Sequence, residues 1–319
     1  MSIISKDISR AVELLNAEEV IAIPTETVYG LAGNIYSEKA IKAIFEIKKR
    51  PFYNPLIVHI ASIDYLDKIV KHVPVKAKLL AENFWPGPLT LVLKKKDTIP
   101  DLITAGKNTV AVRVPNHPLS LKLLEQLSYP LGAPSANPFS TISPTKAEHV
   151  ENYFINSIKM VIDGGPSKSG IESTIIGFVD DEPIIYRLGS IPLEAISKIV
   201  GNIKIINNQS ETPEAPGMLE RHYAPITNTI LTDNLLKAIS QHSERKLGIL
   251  SFKSKIEGSN IKLQITLSEN GNMKEAASNL YDALHKLDKA DLDIIIAERL
   301  PDYGLGKSIN DRLERATKL

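Results

Sequence analysis

The chain has 319 residues, 43% of them hydrophobic and 24% charged, with a formal net charge of +1 and no cysteine. That length suits two hydrophobic cores rather than one, and the charge balance gives no global attraction to nucleic acid, so a polyanion would have to meet a local basic cluster. Without cysteine there is neither a disulfide nor a thiolate metal site, and the seven histidines show no i, i+4 pairing of the metalloprotease kind, which argues against structural zinc.

The opening MSIISKDISRAVELL sets Lys6, Asp7 and Arg10 where a signal peptide or membrane span needs apolar residues, so the expectation is a cytoplasmic protein with no membrane partner. Short β-branched runs then alternate with amphipathic stretches, predicting an α/β or α+β domain. Strands are expected at VIAIP from Val20, LIVHI from Leu56, LTLVLK from Leu89, TVAVRV from Thr109, MVIDG from Met160, STIIGF from Ser173 and PIIYRL from Pro183. Asp180, Asp181 and Glu182 predict a hairpin between the last two. Helices are expected over Ile8 to Ala17, Glu38 to Lys49, Val75 to Phe84, Leu119 to Leu127, Lys146 to Tyr153 and Leu193 to Val200, with Ser37 and Thr145 as N-caps.

Between Asn207 and Pro225 no apolar period survives, and Pro213, Pro216, Gly217 and Pro225 mark a linker. Strand and helix signals resume in NTILT, a helix from Asn234, LGILSF, KLQITL, a helix from Met273 to Leu287, DIIIAERL and a last helix from Ile309. Their order predicts a smaller α/β domain with a largely parallel, Rossmann-like sheet.

Several segments carry residues suited to chemistry. If the strand continues through IAIPTETVYGLAGN, Thr25 and Thr27 face one side and Glu26 the other; two hydroxyls toward one pocket suit a small polar ligand, and ordinary strand threonines are the alternative. Lys48, Lys49 and Arg50 close a helix, where the macrodipole favours cations in any case. The Asn54 and His59 that follow point instead to a site, with Lys48 as a point charge and Arg50 as a fork for phosphate oxygens. Thr109, Ala111 and Arg113 share a strand face, and an arginine among valines needs an anionic partner, either a substrate carboxylate or an internal Glu. Ser135 and Asn137 offer uncharged donors on backbone stiffened by Pro134 and Pro138, or belong to an ordinary loop before the next helix. GGPSKSGIESTII, from Gly164, has neither the spacing of a Walker phosphate loop nor the helix that should follow one.

Taken in order, PTETVYGL, KKRPFYNPLIVHI, FWPGPLTLVL, VAVRVPNHP, APSANPFSTISPT, GIESTII, YRLGSI, APGMLERHYAP and GLGKSINDRLERA resemble the threonylcarbamoyl-AMP synthases over nearly the whole chain, in their long two-domain form. The resemblance implies an α/β (α+β) fold: a YrdC-like twisted mixed sheet with helices at 1–206, a linker at 207–226 and the smaller Rossmann-like domain at 227–319. It implies that L-threonine, bicarbonate and ATP give threonylcarbamoyl-AMP and pyrophosphate for threonylcarbamoyl-adenosine modification of tRNA. Mg2+ would come with ATP, with no metal held by protein side chains alone. Thr27, His59, Arg113, Ala133 and Ser173 would line the threonine site. Arg50, Asn54, Thr109, Ser135, Asn137, Arg187 and Tyr223 would surround ATP, with Lys48 and Arg50 as the catalytic pair acting on phosphates and developing charge. A separate tRNA threonylcarbamoyl transferase would receive the product, and weak RNA binding goes with the fold.

The departures from the family pattern are Lys49, where a glycine is common, Tyr53, where a polar residue is frequent, and Asn34 in place of a usual Asp. A double-stranded RNA-binding module of the same fold is the non-enzyme alternative, opposed by the near-neutral charge and by an aromatic content of 6%. Carbamoyl-adenylate chemistry of hydrogenase maturation is the other rival, opposed by the lack of zinc-finger cysteines and of extra length. Arg221, His222 and Tyr223 exceed what a spacer needs, so 215–225 is expected to lie over the first domain's cleft as a lid, with Tyr223 reaching the nucleotide and the second domain anchoring it.

Overall fold

The computed structural model describes residues 2–206 and 222–318; most of the expected linker, with Pro213, Pro216, Gly217 and Arg221, lies outside the described residues. Helix Ile8–Asn16 starts where the Asp7 side chain accepts from the Arg10 N–H at 2.9 Å, and it buries Ile8, Ala11, Leu14 and Leu15 along one stripe. Ser37 caps Glu38–Lys48 as expected, accepting from the Ala40 N–H at 3.1 Å. That helix ends on Lys49 at φ 53°, the left-handed cap position that favours glycine. The departure noted at Lys49 therefore has a physical cost, about 1 to 2 kcal/mol of backbone strain for a residue with a Cβ. Thr145 is not the expected cap: Lys146 occupies that position without a side-chain bond, and the Thr145 N–H instead donates to His149 Nδ1 at 3.3 Å.

Among the described residues, the large mixed sheet runs in the order Ile4–Ser5, Val161–Ile162, Ile21–Ile23, Gly30–Asn34, Leu131–Gly132, Ile57–His59, Thr109–Arg113, Leu89–Lys94, Thr174–Val179, Glu182–Arg187 and Lys204–Ile205. Gly30–Asn34 and Leu131–Gly132, unread in the sequence, fill its middle. Asp180 and Asp181, at φ 49° and 62°, make the predicted hairpin between Thr174–Val179 and Glu182–Arg187, because both central residues of such a tight turn need positive φ. A second sheet runs Thr229–Thr232, Ile294–Glu298, Leu247–Ser251 and Ile261–Thr266, with every pairing parallel. Helices Leu235–Gln241, Met273–Asp288 and Leu305–Ala316 accompany it; the last begins ahead of the expected Ile309, directly after Gly304 at φ 53°.

The two parts share an apolar core. Val28, Ile142, Ile171 and Tyr223 pack in one buried cluster with Leu280, Tyr281, Leu284, Ile309 and Leu313 from the last two helices. Gly170 marks a close approach: it sits at φ 71°, and a Cβ there would lie 2.4 Å from the Ala277 carbonyl oxygen and the Ser278 Cα. Only glycine fits both that conformation and that contact. Among the described residues no helix is long and apolar enough to cross a membrane.

Candidate active site

Parallel register places His59 beside Arg113 on neighbouring strands. The Ala133 N–H, bonded to the Ile57 carbonyl at 2.9 Å, brings the loop through Ser135 and Asn137 across the same strand ends. The 24–29 segment is a loop and not the continued strand, because Thr25 Oγ1 donates to the Val28 carbonyl at 2.6 Å and closes a turn. Thr25 and Thr27 still face one pocket, their hydroxyl oxygens 2.8 Å apart. Its wall is completed by Glu172, Ser173, Arg187, His222 and Tyr223. Chain entering after the undescribed segment is fixed there by the Ala224 N–H on the Ser140 carbonyl at 2.9 Å and the His222 N–H on the Arg315 carbonyl at 3.3 Å.

Thr27, His59, Arg113, Ala133 and Ser173, all expected to hold threonine, lie in the wall of this pocket, as do Arg50, Ser135, Arg187 and Tyr223 from the group expected around ATP. Lys48, Asn54, Thr109 and Asn137 lie outside the wall. Asn54 holds Arg50, accepting Nε on its carbonyl at 3.1 Å and Nη2 on Oδ1 at 2.6 Å. Lys48 is not turned toward phosphate as expected: it is buried behind the wall, donating to the Ser135 carbonyl at 2.5 Å and to the Asn137 carbonyl, so it pins the loop that carries both residues. The Asn137 amide tightens the same loop by donating to the Thr141 carbonyl at 2.8 Å. Thr109 begins the strand that Arg113 ends and pairs with Lys94; four residues of strand put it roughly 13 Å from Arg113.

Arg113 meets the internal Glu that the sequence left as an alternative. Its Nη2 is 2.7 Å from Glu26 Oε1, yet the two atoms are not aligned as a hydrogen bond. Nη1 donates to Thr27 Oγ1 at 2.9 Å and Nε to the Gly87 carbonyl at 3.2 Å, while Glu26 Oε2 accepts from the Asn116 N–H at 2.9 Å.

The opposite side is rich in buried cations. Arg187 donates from Nε at 3.1 Å and Nη2 at 2.9 Å to the Ser173 carbonyl, and Arg50 from Nη2 to the Pro55 carbonyl at 2.8 Å. Burial lowers Arg50 to about 9, with the Arg187 guanidinium adding to the effect, and burial and Arg50 push the Lys48 ammonium well below its ordinary range. Burial alone would raise the Glu172 carboxyl, but Arg312 and Arg187 hold it down at about 2. His59 is lowered to about 3 by burial and Arg113, and His222 to about 3 by burial with Arg50, Lys48 and Arg187 outweighing Glu172. Both imidazoles are neutral at physiological pH. Burial and Glu172 raise the Tyr223 hydroxyl. Tyr223 sits at φ 64°, a strained position for a residue with a side chain, and its hydroxyl and His222 Nδ1 are buried without a hydrogen-bond partner. Sequence reasoning gave Glu172 no role, although it lies within the GIESTII segment.

Residues 13–189 match the Sua5_yciO_yrdC family profile, described as Telomere recombination, and residues 191–317 match one described as Threonylcarbamoyl-AMP synthase, C-terminal domain. The threonylcarbamoyl-AMP synthase of Pyrococcus abyssi is 42% identical over 311 residues, covering 94% of this chain and 90% of that protein. The one from Bacillus subtilis is 41% identical over 319 residues, covering 97% and 92%. The crystal structure of P. abyssi Sua5 complexed with L-threonine superposes with a TM-score of 0.91 at 40% identity, over 97% of this chain and 94% of that one.

Proposed function

The chain belongs to the threonylcarbamoyl-AMP synthase family in its two-domain form, and on that premise we propose that it joins L-threonine, bicarbonate and ATP into threonylcarbamoyl-AMP, releasing pyrophosphate. The observation that carries this reading is one pocket with two chemically different sides. A small polar side at Thr27, His59, Arg113, Ala133 and Ser173 opens onto the buried guanidinium groups of Arg50 and Arg187. A zwitterionic amino acid suits the first and a polyphosphate the second.

Arg113 Nη2, close to Glu26 but unaligned with it, keeps a donor for the threonine carboxylate. The threonine amine and bicarbonate form a carbamate with loss of water. A carbamate oxygen then attacks the α-phosphorus of ATP, forming the acyl–phosphate bond as the bond to pyrophosphate breaks. No covalent enzyme intermediate is needed, so catalysis consists of aligning anionic reactants and stabilising charge. Arg50 and Arg187 supply that charge directly, and Tyr223 offers its unpartnered hydroxyl. Lys48 and Asn137 act by fixing the loop that carries Ser135, and Asn54 by orienting Arg50. Thr109, expected around ATP, stands outside the pocket wall and takes no part in this reading.

Magnesium would arrive on the nucleotide. Among the described residues no group of three or more His, Asp or Glu side chains is arranged to hold a metal, and the Glu172 carboxylate is already taken by Ser143, Tyr281 and Arg312. We place the catalytic domain at 1–206, the connecting segment at 207–226 and the second domain at 227–319, with the adenylate passed to a separate tRNA-modifying transferase. The expected lid over 215–225 falls largely outside the described residues; its described end, His222 to Pro225, supports it by bringing Tyr223 into the pocket. Pyrophosphate release from ATP, measured with threonine and bicarbonate omitted in turn, tests the reading: release should require both. Release independent of threonine would overturn it.

A further inference from the structure

Glu172 is a carboxylate in the wall of a pocket that also carries the guanidinium groups of Arg50, Arg113 and Arg187, and its direct ion-pair partner comes from the second part of the molecule. Oε2 accepts from Arg312 Nε at 2.8 Å and from the Tyr281 hydroxyl at 2.9 Å, while Oε1 accepts from Ser143 Oγ at 2.7 Å. Arg312, 1% exposed, reaches further. Its Nη2 donates to the Leu188 carbonyl at 2.7 Å, beside Arg187, and its guanidinium lies 5.1 Å from the centroid of the Tyr223 ring. The Tyr281 ring stacks on Tyr223 from 5.7 Å. Ser308 Oγ on the Gly189 carbonyl at 2.8 Å and His285 Nε2 against the Ser143 carbonyl at 3.2 Å fix the same seam.

We propose that Arg312 and Tyr281 are positioning residues for the ATP side of the pocket, holding Glu172 neutralised and Tyr223 in place, so that the second domain completes the site and does more than anchor a connecting segment. The inference rests on the synthase reading above. Its physical basis is that a buried carboxylate is tolerated only when paired. Remove Arg312, and Glu172 loses its direct ion-pair partner, so that its charge draws on Arg187, one of the two arginines placed to bind the phosphates. A purely structural buttress would have no such charge dependence.

The test compares Tyr281→Phe, Arg312→Met and the double variant Arg312→Met with Glu172→Gln, reading KM for ATP and for threonine separately by pyrophosphate release. Arg312→Met should raise the ATP KM about 100-fold and leave that for threonine within about threefold. Adding Glu172→Gln should recover about tenfold of the loss, because it removes the stranded charge. Tyr281→Phe, which deletes one hydroxyl and keeps the packing, should raise the ATP KM about tenfold. If Arg312→Met does not fold, Tyr281→Phe decides alone. An unchanged ATP KM in Tyr281→Phe, equal changes for both substrates, or no recovery in the double variant would each overturn the proposal. A wild-type protein without threonine-dependent release would instead overturn the synthase reading, and ATP binding by calorimetry in the same variants would still decide the positioning.

Discussion

The wall assigned to threonine is set within one sheet, where adjacent strands put His59 opposite Arg113 and a short loop brings Thr27 onto the same guanidinium. The wall assigned to ATP is set from two directions: Arg187 ends a strand of that sheet, but Glu172 and Tyr223 are held from behind by Tyr281 and Arg312 on helices of the other. The first kind of wall depends on local register and should survive disturbance elsewhere. The second depends on docking and should fail whenever the seam between the parts is disturbed.

An effect as large as that of Arg312→Met is expected on the threonine side. Arg113→Ala should raise the threonine KM about 100-fold, in the range for losing one partner of a buried charge pair, with the ATP KM within about threefold. Steady-state pyrophosphate release at varied concentrations of each substrate checks it, and parallel losses for both substrates would break the distinction between the walls. The same variant should also lower the thermal midpoint, since Glu26 would be left buried without its counter-ion.

A smaller effect concerns pH and the seam. Burial holds His222 and His285 at about 3, against an ordinary value of 6.5. Between those values the unfolded chain binds protons that the folded chain refuses, so stability is complete above 6.5 and declines as the pH falls below it. His59, also at about 3, adds the same dependence within the first sheet. Thermal midpoints should therefore drop from pH 7 to pH 5, and His285→Gln should flatten the decline by removing a titrating group from the seam. Equal slopes in wild type and variant would assign the dependence to His222 and His59.

The smallest effect belongs to Lys49, the left-handed cap of Glu38–Lys48. Lys49→Gly relieves a left-handed residue at the price of a more flexible unfolded chain, for a net gain of about 0.5 kcal/mol. Differential scanning calorimetry should show the midpoint rise by about 1 °C; a decrease would mean that the Lys49 side chain makes a stabilising contact.

What was legible in the sequence follows the same division. Leu89–Lys94, Val75–Phe84 and Leu193–Val200 have the boundaries read from pattern alone, because each is an uninterrupted run of one periodicity. Gly30–Asn34 escaped notice because GLAGN has neither β-branched residues nor alternation, and only its position between two strands makes it one. The residues assigned to the threonine side came from the family resemblance and share neighbouring strands and loops. Lys48 was read as facing phosphate because sequence shows a cation near a loop but not which way its ammonium turns. Glu172 was missed for a different reason: its partners Tyr281 and Arg312 are 109 and 140 residues further along, and no local pattern announces a charge that is satisfied at such a distance.

The central claim is that docking of the second domain shapes the ATP side and leaves the threonine side alone, and Gly170→Ala addresses it most directly. The added methyl would meet the Ala277 carbonyl oxygen at 2.4 Å, at the seam and outside the pocket wall. Overpacking of this kind typically costs about 1 to 3 kcal/mol. Calorimetric titration of the variant with each ligand in turn should show ATP affinity weakened about tenfold and threonine affinity within about threefold of wild type. Unchanged ATP affinity in a folded variant, or an equal loss for both ligands, would contradict the account.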